Sequence, residues 1–87
     1  MDILEAGKAV FIRTVTHHYT GRVVSVGPVW IVLSEAAWIA DDGRWTNALT
    51  KGELNEVEPY PEGEVLIAIG SVVDICAWSH ALPRTVK

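Results

Sequence analysis

The chain has 87 residues, 49% of them hydrophobic and 21% charged, which makes one domain and excludes both a two-lobed enzyme with a cleft and a disordered chain. So apolar a chain of this size cannot cover all its own hydrophobic surface, and part of that surface is expected to meet another subunit. Seven Lys and Arg against eleven Asp and Glu leave a net charge of -4, which disfavours nonspecific binding to RNA or DNA, since that draws its affinity from basic groups.

The N-terminus lacks the basic and apolar regions of a secretory signal, so a cytoplasmic protein is the expectation. After Gly7, Lys8 to Thr16 is rich in β-branched and aromatic residues and ends at the polar pair His17-His18, which predicts a strand. Tyr19 to Val26 has the same character with Gly21 inside it, and a glycine within a strand marks a bend or bulge. Gly27-Pro28 breaks the chain, and Trp30 to Ala40 forms a third, long strand.

Two faces of that strand separate by the period of two. Ile31, Leu33, Glu35, Ala37 and Ile39 fall on one, Trp30, Val32, Ser34, Ala36 and Trp38 on the other. Both are largely apolar, so one is expected to face a barrel interior and the other a helix, a loop or a neighbouring subunit.

Asp41-Asp42-Gly43 reads as a turn. Between Arg44 and Leu54, Trp45, Ala48 and Leu49 recur at helical spacing, and Gly52 is placed to end the helix in a left-handed cap. Asn55 to Gly63, with Pro59, Pro61 and three glutamates, reads as an irregular connector. Val65 to Ile69 and Ser71 to Trp78 are two further strands joined at Gly70. Together they are shorter than the ~20 residues a membrane helix needs and are interrupted by Gly70 and Asp74. His80 to Lys87 is expected to be a tail or a short exposed strand. Five strands, one bent by glycine, with a helical insertion at about residues 41–63 describe a small all-β barrel in a single domain spanning residues 1–87.

Gly7-Lys8-Ala9-Val10-Phe11-Ile12, then Tyr19-Thr20-Gly21-Arg22-Val23-Val24-Ser25-Val26, then Ile31 to Ala36 resembles the first motif of Sm and Lsm-type proteins. Val65 to Ile75 is similar to the second motif, two short strands flanking an Arg-Gly pair. The resemblance covers most of the chain outside the insertion. It implies a strongly bent, five-stranded, SH3-type barrel whose fourth and fifth strands pair edge to edge between subunits to close a ring.

Departures from the pattern bear on function. Members of that family that bind uridine-rich RNA carry Asp and Asn in the loop between the second and third strands, where this chain has Gly27-Pro28-Val29-Trp30. The Arg expected before Gly70 is Ile69, which cannot supply guanidinium chemistry. RNA binding is therefore disfavoured. If retained, it would use replacement contacts from Arg13, Arg22, Pro28, Trp30 and Gly70, with Trp30 as a stacking platform.

Other chemistry is sparse. His17 and His18 leave opposite faces of an extended strand and cannot readily chelate one metal ion. Asp41 and Asp42 lack the ligand count calcium wants and serve a turn. Cys76, the one cysteine, has no internal disulfide partner and sits in a strand as a small hydrophobe, without the base and electropositive setting a nucleophile needs. The glycines form no phosphate-cradling loop, and no hydrolase or metalloprotease pattern occurs. No catalytic residue, metal or cofactor is expected.

Four tryptophans in so short a chain point to interface energetics. Trp38, Trp45, Val65, Ile67, Val73 and Trp78 are the expected subunit contact, with a small-ligand pocket at a subunit boundary as the lesser reading for Trp38 and Trp45. The sequence thus describes a non-catalytic homo-oligomeric binding module whose partners are itself and an unidentified protein or small ligand. A ring binding single-stranded RNA, or a monomeric SH3-like peptide binder, are its alternatives.

Overall fold

The computed structural model describes residues 2–87 and consists of one antiparallel sheet with a single short helix. Its strands are β1 (Ala9–Thr14), β2 (His18–Val26), β3 (Trp30–Asp41), β4 (Glu56–Pro59), β5 (Glu64–Ala68) and β6 (Val72–Ala77), and helix α1 spans Trp45–Lys51 between β3 and β4. The all-β class is as the sequence implies. Six strands replace the expected five, because the segment read as an irregular connector contains β4: Val57 is an apolar residue between glutamates, buried at 1% exposure, and pairs with Ile39.

Strands run in the order β4-β3-β2-β1-β6, with β5 also on β3. The length of β3 allows this: its first half, Trp30 to Ser34, pairs with β5, and its second half, Ala37 to Asp41, with β4. β6 stands at one end of the sheet and β5 shares the other with β4, both paired to β3; β5 and β6 are joined by a 3-10 turn at Ile69–Ser71 in place of a plain glycine joint, and the sheet is not closed by a ladder between them. Yet side chains from both ends meet in one core. Val10, Ile12, Val23, Ile31, Leu33, Ala36 and Ile67 are buried together, with Val72 and Ile75 of β6 against them, so the sheet curls around this inner core. Each fully buried aliphatic side chain there contributes about 1.5–3 kcal/mol.

The strict alternation expected along β3 fails at Glu35. That residue adopts a left-handed conformation, φ 50°, and the register slips there: Thr20 faces Ala37, but Arg22 faces Ser34. One extra residue on β3 is a bulge, and it exchanges the two faces. Ile31 and Leu33 therefore share the inner core with Ala36, while Ala37 and Ile39 go to the opposite side. Gly21 lies across from the bulge, where a Cβ would come within 2.9 Å of Leu33 Cδ1. Its role is close approach of the two strands.

A second, outer core fills the other face beyond the bulge. Phe11, Ala37, Ile39, Ala48, Leu54, Val57 and Trp78 are buried there, with Trp45 and Leu82 packed alongside. Phe11 is its centre, in ring contact with Trp45 at 5.1 Å and Trp78 at 5.5 Å. Helix α1 lays Ala48 on this face and ends at Gly52, φ 71°, whose N–H donates to Ala48 O. The last residues strap the outer core down: Arg84 donates to the carbonyls of Ala36 and Tyr60, and Lys87 exchanges two backbone hydrogen bonds with Val57.

Candidate functional site

At the far end of β3 from β5, the loop before β2 and the turn after β3 enclose a groove of about 310 Å³. Thr16, His17 and His18 form one wall, and Trp38 through Gly43 the other. The loop is fixed by Thr14, whose N–H and hydroxyl both donate to His17 O and whose hydroxyl accepts from His17 N–H. The turn is fixed by Asp41, whose Oδ1 accepts from Gly43 N–H at 2.8 Å, with Gly43 at φ 71°.

The two histidines separate as alternation requires. His18 turns to the outer face, edge-on to Phe11, and its Nδ1 lies 3.0 and 2.9 Å from the two carboxylate oxygens of Asp42. His17 turns to the other side, 5.4 Å from the ring of Trp38 and 6.2 Å from Tyr19, with its Nδ1 hydrogen-bonded to Thr16 Oγ1. These are two separate pairs: neither imidazole links a carboxylate to the Thr16 hydroxyl in one relay. Among the described residues, no group of three or more His, Cys, Asp or Glu is arranged to hold a metal ion.

Trp38 is about a third exposed. By register it stands between Tyr19 of β2 and Glu58 of β4, and Tyr60 follows two residues on, its N–H donating to Ala36 O. Burial pushes the Tyr19 phenol up, and the neighbouring Tyr60 adds to this. Of the aromatic rings here, His17 and Trp38 line the groove from its two walls, and Asp41 and Asp42 lie on the wall that Trp38 begins. In sequence, His18 and Asp42 read as unrelated turn residues. Their pairing follows from the β2–β3 register, in which His18 faces Ile39.

The residues read as replacement RNA contacts divide into two places. Pro28, Trp30 and Gly70 come together, because Ile69 N–H donates to Val29 O and ties the β2–β3 loop to the 3-10 turn. Trp30 closes over Gly27, where a Cβ would run into its indole. This end of the molecule is apolar, with Val29 and Ile69 exposed beside Trp30. Arg13 and Arg22 lie elsewhere, each committed to a carboxylate. Arg22 Nε donates to Glu35 at 2.6 Å and its Nη1 to Gly7 O. Arg13 binds Asp74 through two donors and lies 5.2 Å over the Trp45 ring. That hydrogen bonding raises the Arg13 guanidinium and lowers the Asp74 carboxyl from their ordinary values.

Of the residues expected at a subunit contact, Trp78 and Ile67 are buried in their own chain, Trp45 packs on Phe11 and Val65 lies half-buried against the inner core. The insertion and tail cover the outer face at Trp45 and Trp78. Val73 and Trp38 remain exposed. Cys76 is half-buried, and burial pushes its thiol up. No helix among the described residues is long and apolar enough to cross a membrane. No family model, curated protein or solved structure matches this chain.

Proposed function

We propose that the chain is a non-catalytic binding module that assembles with copies of itself, built as an Sm-like barrel. One observation carries this reading: of the terminal strands β4, β5 and β6, β4 is bonded by Lys87 at Val57, whereas β5 and β6 are each paired on one side alone among the described residues and each bear a bare aliphatic side chain, Leu66 at 63% and Val73 at 62% exposure. Unpaired apolar edges of similar length, five and six residues, are templates for strand addition. Because the two edges differ, an edge-to-edge contact is head-to-tail, and head-to-tail contacts close into rings when the rotation permits. The curled sheet and the order of β1, β2, β3, β5 and β6 support the Sm-like reading, and the single free cysteine fits a reducing, cytoplasmic setting.

The aromatic residues Tyr19, Trp38 and Tyr60 favour one competing reading, a monomeric SH3-like peptide binder. RNA binding gains no support, since Arg13 and Arg22 are each neutralised by a carboxylate in a chain of charge -4. Light scattering at micromolar concentration separates the readings. A multiple of the chain mass supports assembly, and a single-chain mass favours the peptide binder.

A further inference from the structure

We propose that the groove between His17, His18, Trp38 and Asp41–Asp42 is a receptor for a cationic side chain, lysine or arginine, presented by an extended basic segment of a protein partner. The groove's volume of about 310 Å³ accommodates one long side chain and excludes a folded surface. Its walls are of two kinds. Trp38 offers a partly exposed indole, 5.4 Å from the His17 ring, and aromatic faces attract ammonium and guanidinium groups through the ring quadrupole. Asp41 and Asp42 supply charge: Asp41 gives one oxygen to Gly43 N–H, and Asp42 is held in place by His18 Nδ1. Across β4, Glu58 faces Trp38 and Glu56 faces Asp41, which extends the negative potential along the path an extended segment would take beside the groove.

Two cations stand near the groove's carboxylates: Arg13, whose guanidinium Asp42 helps to raise, and the exposed Arg44, which follows Gly43. Arg13 is engaged by Asp74 and stacked on Trp45, and Arg22 is engaged by Glu35. Negative overall charge steers a basic partner toward the molecule and a nucleic acid away from it. The proposal stands apart from self-assembly, because the groove sits on the half of β3 that pairs with β4, whereas the free edge of β5 flanks the other half.

Amide-detected NMR on the full chain tests it with four probes: an acetylated Gly-Lys-Gly amide, its arginine and norleucine counterparts, and a short uridine oligomer. The lysine and arginine peptides are expected to move the amides of His17, His18 and residues 38–43 and the Trp38 indole N–H, with millimolar affinity. The norleucine peptide moves none of them. Trp38→Leu, which alters an exposed residue, and Asp42→Asn each weaken the lysine peptide at least about fivefold, and salt raised from about 50 to about 500 mM weakens it further. No movement with either cationic peptide at about 10 mM, equal movement with norleucine, or movement of the same amides by the uridine oligomer overturns the proposal. Sedimentation of the same samples reads the assembly state separately.

Discussion

The outer face of the sheet is covered over one half and bare over the other. Around Phe11, Ala37 and Ile39, helix α1, β4 and the C-terminal strap bury that face, so that Trp78 is only 5% exposed. Around Trp30 and Leu66, the same face carries aliphatic and aromatic side chains with nothing laid over them. One insertion between two strands covers only the half it reaches. The bulge at Glu35 marks the border, because it decides which residues of β3 turn toward α1 and which turn inward. The surplus of apolar surface that composition implies is thus buried within the chain on one half, and left exposed on the other.

The strongest way to break this comparison is to empty the covered half. Phe11→Ala removes the centre of the outer core and is expected to cost about 3–5 kcal/mol in urea unfolding, where Trp30→Ala in the bare half costs about 1 kcal/mol or less. Similar losses for the two would erase the distinction.

Gly21→Ala strikes the border. The added methyl meets Leu33 Cδ1 at 2.9 Å, Leu33 Cβ at 3.0 Å and the Ser34 carbonyl at 3.2 Å, so strands β2 and β3 must part at the bulge. A loss of about 1–3 kcal/mol is expected from thermal unfolding. An unchanged midpoint would show that the strands part there at no cost.

Charging the bare half leaves folding nearly intact and acts on association. Leu66→Asp changes an exposed side chain, so its urea midpoint stays within about 0.5 kcal/mol of the parent. Its sedimentation coefficient falls to that of one chain. A variant that stays assembled would move the contact away from β5.

A smaller effect separates the halves by pH. Hydrogen bonding to Arg13 lowers the Asp74 carboxyl from the ordinary carboxylate value. Its folded-state value is depressed, so the stabilisation is present above about pH 4 and is lost as pH falls through the lower folded value. Asp74→Asn removes this acid-limb contribution, and because both groups are exposed the shift in thermal midpoint is slight. A variant whose midpoint between pH 2 and 6 runs parallel to the parent's would show that the pair contributes nothing.

Much of the strand pattern was legible because it rests on local chemistry. β-Branched runs marked β1, β2 and β3, Gly52 marked the end of α1, and Gly70 fell within the joint between β5 and β6. β4 escaped because its four residues are mostly charged or proline, and only pairing with β3 makes Val57 a core residue. The exchange of faces on β3 was hidden for a similar reason. Nothing in Glu35 itself announces a left-handed residue, and the bulge follows from the register that β2 imposes. The groove was half visible: His17, His18, Asp41 and Asp42 stood out singly, but the hydrogen bond between His18 and Asp42 spans 24 positions and forms only once β2 and β3 pair.

Self-assembly through the bare half is the central claim, and the mass of the full chain in solution tests it most directly. Multi-angle light scattering on the eluting peak at micromolar loading is expected to return an integral multiple of the 87-residue chain, and Leu66→Asp to return the single chain. A single-chain mass for the parent protein, unchanged at the highest attainable concentration, contradicts the account.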